Sequence, residues 1–425
     1  MSQQSTMLAA FIPQVPPQYQ AIAIVIAGFV ANFVVFGIGF TFGVFQEFYT
    51  SDKGPLVNTS HAVVSMIGTT ATATTYCCAI FFNTAMNYLK SPQVVMFIGA
   101  MLMSLGLLAA SFCQADNAYQ FILSQGLLFG IGASFTYIPP VVCAPPFFTR
   151  HRGVALGILF SGTGAGALVL GPITRTLISH LGWRWSLRIL AFISIVMTGG
   201  SSVLVNQHSS LQSANPTSSL KKVFDVRLMS VDPISLYTQL FAGFFQSAGY
   251  LISLNYMSTY GETLGFSATQ GTVFIAVNNG INATFKVILG FLADRYIGRL
   301  NMIIICNLMS TLCVLVFWLI SLRGTFIAFV VLYGVFSGAI ISLLPTCLSE
   351  IFGIKNYKSM SGLMYFFRGI GNFLGSPIAG LLISTGGLPT DHQNCIIYNG
   401  CLLAVSTFLL ALLKVRVRKT VEEEE

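Results

Sequence analysis

Long apolar runs separated by short polar stretches are the dominant pattern of this chain. A helix needs roughly 20 apolar residues to cross the ~30 Å hydrocarbon core of a bilayer, and the runs predict twelve such helices. Backbone polar groups in lipid must be satisfied within the segment, and the runs lack the short apolar–polar alternation of barrel strands. The sequence therefore predicts an all-α membrane protein with spans near 20–46, 61–84, 93–113, 119–143, 153–177, 186–206, 233–260, 269–292, 300–320, 325–349, 359–385 and 395–414.

The longest polar interruption lies between the sixth and seventh predicted spans. It reads NQHSSLQSANPTSSLKKVFDVRLMSVD, from Asn206 to Asp232, and is rich in serine. This composition is typical of a flexible linker, and transporters built from repeated halves show such an arrangement. The predicted parts are an N-terminal tail (1–19), an N-terminal six-helix half (20–206), a linker (207–232), a C-terminal six-helix half (233–414) and a C-terminal tail (415–425).

Composition supports this prediction, because only 8% of the 425 residues are charged and 54% are hydrophobic, whereas soluble domains carry about 25% charged residues. The net charge of +8 comes mostly from Lys and Arg in loops that share one side of the predicted topology. The positive-inside rule places that side, and both termini, in the cytoplasm. We therefore expect the lipid bilayer, and not nucleic acid, as the partner of this positive charge.

Little in the sequence predicts catalysis. The nine cysteines fall mostly in spans and show no metal-ligand spacing and no disulfide framework. Since there is also no phosphate loop or nucleophile motif in a water-accessible domain, we expect no enzyme activity, metal or cofactor. Asn58, in the sequon Asn58-Thr59-Ser60 of the first outer loop, is a candidate glycosylation site.

One stretch, INATFKVILGFLADRYIGRL (281–300), places a lysine inside an apolar run and ends it in a charged cluster. Lys286 lies about 12 Å from the predicted cytoplasmic surface, close to the midplane. A buried ammonium costs a few kcal/mol in lipid, so it normally faces a cavity and a partner. We interpret Lys286 as an anion-binding residue, with a structural contact to carbonyls or to Asn282 as the alternative. Asn278 and Asn282 share its helix face by i, i+4 spacing.

Further polar residues at depth complete the candidate substrate site. Arg368 lies roughly 15 Å into the eleventh span, where it could hold substrate or act in a gate. Because ligand pockets combine apolar walls with a few convergent polar groups, aromatic and polar residues of central spans are also candidates. They are Tyr137, Tyr365, Gln246, Tyr250, Asn255, Asn279, Ser337 and Asn372.

The charged cluster resembles a known family signature. GFLADRYIGRLN is similar to the loop 8–9 motif of the major facilitator superfamily, which Gly290, Asp294, Arg295 and Arg299 match, while Ile297 adds a residue before Gly298. In that superfamily such charges are implied to form a cytoplasmic latch that holds the outward-facing state. Glu350, at the inner end of the tenth span, completes the predicted latch.

Other segments resemble the monocarboxylate-porter family, particularly its fungal branch. They are FGIGFTFGVFQEFY (36–49), FFTRHRGVALGILFSGTGAGALVLGP (147–172), GWRWSLR (182–188), LYGVFSGAIISLLPTCLSEIFG (332–353) and GNFLGSPIAGLL (371–382). The resemblance covers essentially all twelve spans. It implies two six-helix halves and alternating access, and the fungal branch is implied to include carriers of other substrates, such as riboflavin.

The chain departs from the animal members at charged positions. An Asp and an Arg of their eighth span fall at Asn282 and Lys286, and a lysine of their first span falls at Phe40. The acidic stretch before span one is replaced by PPQYQ. Because no carboxylate or histidine is predicted near the midplane, we expect proton coupling that is weaker or differently built, and whether a proton accompanies the substrate stays open.

These observations predict a carrier of a small, monocarboxylate-like organic anion. The alternatives are a carrier of a bulkier metabolite, such as riboflavin or a fungal secondary product, and a nutrient sensor that binds without transporting. The short predicted tails disfavour a sensor. We expect the plasma membrane as the location, ahead of the vacuole.

Overall fold

The computed structural model describes residues 16–206, 233–384 and 388–424, and the predicted linker lies outside the described residues. Within these ranges every regular element is a helix, as the apolar runs predict. The longer helices are α1 (Gln20–Tyr49), α2 (His61–Cys77), α3 (Phe82–Leu89), α4 (Pro92–Ala110), α5 (Phe129–Cys143), α6 (Arg152–Ser194), α7 (Pro233–Thr263), α8 (Ala268–Leu292), α9 (Arg299–Leu312), α10 (Arg323–Ile351), α11 (Gly353–Leu381) and α12 (Gln393–Glu424).

Several short elements extend these helices. A 3₁₀ turn, Cys78–Phe81, joins α2 to α3, and Ala118–Phe121 with the π-helical Ile122–Leu128 leads into α5. Further π-helical turns follow α6 (Ile195–Gly199), α8 (Ala293–Ile297) and α9 (Cys313–Trp318). Because these turns continue the helical path, they join their neighbours into longer helical segments, such as Val63–Met86, Thr269–Ile297 and Arg299–Trp318, even where the hydrogen-bond pattern changes.

Local sequence explains several helix ends. Ser60 and Ser91 cap α2 and α4, and Pro92 occupies the first turn of α4, where its missing N–H costs nothing. Ser267 and Gln270 form a reciprocal capping box at the start of α8. At Gly182 the backbone turns to φ +77°, which breaks α6 between the predicted fifth and sixth spans. α12 reaches Glu424, so most of the predicted C-terminal tail is helical.

Among the described residues, nine helical segments are long and apolar enough to cross a membrane. One of them, residues 152–202, contains the break at Gly182. The long helices α7 and α11 are not among these nine, and they carry candidate polar residues such as Gln246, Tyr365 and Arg368. The molecule is thus a multi-pass integral membrane protein, while the count of twelve spans stays a prediction.

The two predicted halves meet mainly along α6 with α8 and along α2 with α11. A Cβ atom built on Gly290 of α8 would lie 2.4 Å from the carbonyl oxygen of Gly153 on α6, and one on Gly157 would lie 2.6 Å from that of Lys286. One on Gly164 would lie 2.3 Å from the oxygen of Asn279. We call these four glycines (Gly153, Gly157, Gly164 and Gly290) the glycine seam, because only residues without a side chain permit this backbone contact.

Side-chain hydrogen bonds between the halves are found at the predicted cytoplasmic end. The Asn83 amide donates to the Lys358 oxygen at 3.1 Å, and the Tyr357 hydroxyl donates to the Val141 oxygen at 3.3 Å. Together with the inner part of the glycine seam, these contacts close the predicted cytoplasmic end of the interface.

Candidate functional site

A cavity that is partly open to solvent lies between the two halves, near the middle of the helices. Seven of its lining residues come from α1, α2 and α6 and five from α7, α10 and α11. The wall combines five aromatic rings with one full charge, that of Arg368. The lining residues are Phe36, Gly39, Phe40, Thr72, Tyr76, Phe160, Thr163, Tyr250, Leu251, Ile341, Arg368 and Asn372.

Arg368 is held in place from the C-terminal half and reaches the N-terminal half. Its Nη1 donates to Gln246 Oε1 on α7 at 2.6 Å, and its carbonyl oxygen accepts from the Ser247 hydroxyl at 2.8 Å. The guanidinium carbon lies 5.9 Å from the ring centroid of Tyr76 on α2, within cation–π range. Although the residue is 1% exposed, its Nε has no hydrogen-bond partner in the part of the chain that the structure describes.

An aromatic cluster backs the same wall. Tyr365 stacks on Tyr76 with centroids 6.2 Å apart and meets Tyr137 edge-on at 5.8 Å, and Phe36 meets Tyr137 at 5.3 Å. Tyr137 and Tyr365, both predicted site residues, are buried and do not line the cavity, and their hydroxyls have no partner among residues 16–206, 233–384 and 388–424. Unpartnered buried hydroxyls are costly, so this cluster retains polar groups that a ligand or water molecule could satisfy.

Lys286 lies behind the cavity wall. Its Nζ donates to the Phe160 oxygen at 3.2 Å and to Thr163 Oγ1 at 2.5 Å, and both of these α6 residues line the cavity. Lys286 itself is 1% exposed and does not belong to the lining. The buried ammonium therefore bridges α8 to α6, across the two halves, and touches the cavity only through its partners.

The other predicted residues of α8 bond within the C-terminal half. Asn278 Nδ2 donates to the Val330 oxygen at 2.8 Å, and Asn282 Nδ2 donates to Ser337 Oγ at 3.5 Å. Both asparagines are buried and neither lines the cavity. They share a face with Lys286, as predicted, but that face packs against α10 as well as α6.

Three of the four predicted latch residues, Asp294, Arg299 and Glu350, form a compact network. Arg299 Nε lies 2.8 Å from Asp294 Oδ1, and Asp294 Oδ2 accepts from the backbone N–H of Val154 at 2.9 Å. Arg299 also donates to the Thr149 oxygen at 3.1 Å, and its ion pair with Glu350 is longer, at 3.4 Å. Asp294 and Arg299 thus tie the C-terminal half to the start of α6.

Two predicted residues lie apart from these networks. The Arg295 guanidinium carbon lies 5.8 Å from the Tyr296 ring centroid. Exposed Asn58 donates from Nδ2 to Asp116 Oδ1 at 3.4 Å in the outer loops. Across the described ranges, no group of three or more His, Cys, Asp or Glu residues is arranged to hold a metal ion.

Sequence reasoning missed Tyr76, Phe160 and Thr163. Thr163 and Phe160 lie in the glycine-rich run GILFSGTGAGALVLGP, whose small residues indicate helix contact without showing which face borders a cavity. Tyr76 follows a threonine-rich run, TTATATT, and precedes the cysteine pair, and neither feature distinguishes it as a site residue. The available signal for Thr163 is its position one residue before Gly164, a glycine of the seam, because close backbone contact brings neighbouring side chains to the interface.

Comparison with known proteins agrees with this architecture. The Major Facilitator Superfamily profile matches residues 24–322 and 276–425. The MFS-type transporter pynF of Aspergillus niger is 30% identical over 388 residues, which are 90% of this chain and 85% of that protein. An MFS-type transporter of Gibberella moniliformis is 29% identical over 396 residues, with 92% of each chain covered.

An animal relative and two solved structures extend the comparison. Human Monocarboxylate transporter 12 is 26% identical over 413 residues, 88% of this chain and 76% of that protein. The human organic anion transporter MFSD10 shares the fold with a TM-score of 0.69 at 13% identity, covering 93% of this chain and 100% of that one. FucP, solved in its outward conformation, has a TM-score of 0.69 at 14% identity. The match covers 91% of this chain and 98% of FucP.

The family profile covers the whole helical region, and the relatives match it nearly end to end. The resemblance inferred from the sequence segments is confirmed at this level: the family profile matches, and the relatives include fungal MFS-type transporters and a human monocarboxylate transporter. This chain belongs to the major facilitator superfamily of membrane transporters.

Proposed function

We propose that this protein carries an organic anion with an aromatic or apolar body across the membrane by alternating access. The observation that supports this most directly is the buried guanidinium of Arg368 in the wall of an aromatic cavity between the halves. A site at this interface is exposed to one side or the other as the halves rock against each other.

The charge of Arg368 supports an anionic substrate. The ion pairs of the described residues are Arg175–Glu47, Arg299–Asp294 and Arg299–Glu350, so none of them neutralises Arg368. A buried cation is stabilised by a charged partner with good geometry, and a guanidinium offers a planar fork that matches a carboxylate. The Nε, which is buried and has no partner among the described residues, is a further donor of the same guanidinium.

The aromatic wall supports the bulkier of the substrate classes that the sequence left open. Burying apolar surface contributes about 25 cal/mol per Å², so five rings favour a substrate with an extensive apolar or aromatic body. Lactate-sized anions have little apolar surface to bury against Phe36, Phe40, Tyr76, Phe160 and Tyr250. The name of the human relative, a monocarboxylate transporter, agrees with a single acidic group.

Uptake into proteoliposomes tests this proposal. Labelled benzoate, lactate, riboflavin and neutral benzamide are supplied to vesicles with the protein and to protein-free vesicles, which define passive leak. We expect saturable, protein-dependent uptake of benzoate that exceeds lactate uptake, and no carrier-mediated benzamide uptake. Equal carrier-mediated uptake of benzoate and benzamide would refute an anion site. Binding of benzoate without any uptake would favour the sensor alternative.

Alternating access requires a device that closes one end of the cavity at a time. The Asp294–Arg299 pair, its bond to the Val154 N–H and the inner glycine seam close the predicted cytoplasmic end. We include these residues in the proposal as a latch of the outward-facing state, to which Glu350 and Arg295 add peripheral charge. Several contacts together are needed, because single surface ion pairs contribute little.

The latch predicts unequal effects for its two carboxylates. Asp294→Asn removes the charge from a side chain that is 2% exposed and bonded to two partners, so we expect benzoate uptake to fall about tenfold. Glu350→Gln changes a side chain that is 56% exposed and lies 3.4 Å from the Arg299 guanidinium. It should lower benzoate uptake less than about twofold. Initial rates of benzoate uptake, measured in parallel for the two variants and the wild type, test this difference. Equal losses would contradict the central position of Asp294.

A further inference from the structure

We infer that Thr163 recognises a hydrogen-bond donor of the substrate, such as a hydroxyl, and that Lys286 fixes the Thr163 oxygen as an acceptor. This inference rests on the proposed function and narrows its substrate class to hydroxylated aromatic or apolar anions. It also gives Lys286, which does not line the cavity, a positioning role in substrate selection.

The Thr163 hydroxyl has a single proton, and the first step is to identify the atom that accepts it. Thr163 Oγ1 lies 2.8 Å from the carbonyl oxygen of Phe160, one turn earlier on α6. A carbonyl oxygen has no proton to give, so in this contact the hydroxyl donates and the carbonyl accepts. The only donor capacity of Thr163 is thereby used within its own helix.

The second step is the contact with Lys286. An ammonium group has three donors and no acceptor, so at 2.5 Å Lys286 Nζ donates to Thr163 Oγ1. It donates to the Phe160 oxygen as well, at 3.2 Å. If the Thr163 hydroxyl turned its proton away from Phe160, it would still receive the Lys286 donor. The ammonium therefore keeps one lone pair of Thr163 occupied and holds the oxygen in place.

The third step concerns the hydrogen-bonding capacity that remains on Thr163. It lines the cavity and keeps 7% of its surface accessible. A hydroxyl oxygen has two lone pairs. Lys286 occupies one and the proton is given to Phe160, so no described residue occupies the second lone pair. Thr163 therefore presents an acceptor to the cavity, whereas Arg368 presents only donors.

These two groups belong to different halves, since Thr163 lies on α6 and Arg368 on α11. A substrate with an anionic group at one end and a hydroxyl at the other satisfies both. An analogue in which an ether oxygen replaces the hydroxyl would place two acceptors against each other at Thr163. Leaving such a buried pair unsatisfied is unfavourable, so the site discriminates by the presence of the donor proton.

Binding of three matched ligands to the purified protein in lipid nanodiscs tests this inference. The ligands are benzoate, para-hydroxybenzoate and para-methoxybenzoate, and the Kd of each is measured by titration calorimetry. We expect wild-type protein to bind para-hydroxybenzoate about fivefold more tightly than benzoate, the factor for a hydrogen bond of typical net strength. Para-methoxybenzoate should bind no more tightly than benzoate.

Variants show which residues give the preference for para-hydroxybenzoate over benzoate. Thr163→Val should reduce the benzoate to para-hydroxybenzoate Kd ratio to about one, and Thr163→Ser should retain it. Lys286→Met should lower the ratio as well, because Thr163 is then free to rotate. Ser161→Ala is the matched control, since Ser161 makes the same type of bond to its own helix, to the Ile158 oxygen, and does not line the cavity. It should keep the wild-type ratio.

The outcomes separate this inference from the proposed function. Benzoate binding with no preference for the hydroxyl in wild-type protein overturns the inference and leaves the anion site intact. A preference that survives Thr163→Val, or that Thr163→Ser abolishes, also overturns it. Failure of all three carboxylates to bind would refute both the anion site and the inference.

Discussion

Replacement of Arg368 by glutamine is expected to abolish most anion transport. Arg368→Gln removes the full charge in the cavity wall and leaves Gln246 Oε1 without its 2.6 Å donor. Hydrogen bonds to charged groups contribute about 1.5–3 kcal/mol, so we expect the uptake of benzoate at limiting concentration to fall by about tenfold or more. Arg368→Lys keeps the charge but loses the planar fork, and should fall between wild type and Arg368→Gln.

A second arginine in the same chain provides the control for this experiment. Arg175 pairs with Glu47 at 2.7 Å, but their side chains are 52% and 67% exposed. Because exposed pairs contribute little, Arg175→Gln should change benzoate uptake less than about twofold. Thermal unfolding of each variant shows whether it is folded. Wild-type uptake by a folded Arg368→Gln protein would show that the anion is held elsewhere.

The second large effect is expected from Gly290→Leu, at the inner end of the glycine seam. A Cβ atom there would lie 2.4 Å from the Gly153 oxygen and 2.8 Å from its carbonyl carbon, and backbone atoms cannot rotate away. Overpacking costs about 1–3 kcal/mol in a well-packed site. We therefore expect α6 and α8 to separate at the predicted cytoplasmic end, which shifts the population away from the closed arrangement and lowers uptake by about tenfold.

Spin labels at Arg150 and Tyr296, which are exposed and belong to different halves, measure this separation by electron paramagnetic resonance. Accessible native cysteines are replaced first. In Gly290→Leu the distance distribution should move to longer values than in the parent protein. Gly171→Leu is the control, because a Cβ atom at Gly171 of α6 meets nothing within 4 Å. Unchanged distances in Gly290→Leu, with wild-type uptake, would contradict a closing role for the seam.

The sequence was sufficient to predict an all-helical membrane protein, because the apolar runs depend only on local composition. The depth of the charges in the bilayer follows from the fixed rise per residue and stays a prediction. The interruption between the fifth and sixth spans lies at Gly182, within the stretch that separates the two predicted segments. Arg368 could be placed deep in its span by counting from Lys358. These features need no knowledge of which helices are neighbours.

The partners of the deep charges could not be predicted in the same way. The depth of Lys286 indicated a partner, yet whether that partner was a ligand, a carbonyl or a hydroxyl depends on which face of α6 packs against α8. The glycine-rich run allows several faces to do so. Tyr76 and Thr163 became visible as site residues only when the packing of the halves was known.

The glycine seam has a consequence for how the carrier tolerates repeated cycles. A side chain that enters an interface loses rotamer freedom at every closure, up to about 2 kcal/mol for a long one, whereas glycine has no side-chain rotamers to lose. In the alternating access proposed above, contact between the backbones of Gly153 and Gly290, and of Gly164 and Asn279, would form and break without a search among side-chain conformations at the glycines. The halves would then meet again in a single register after each cycle.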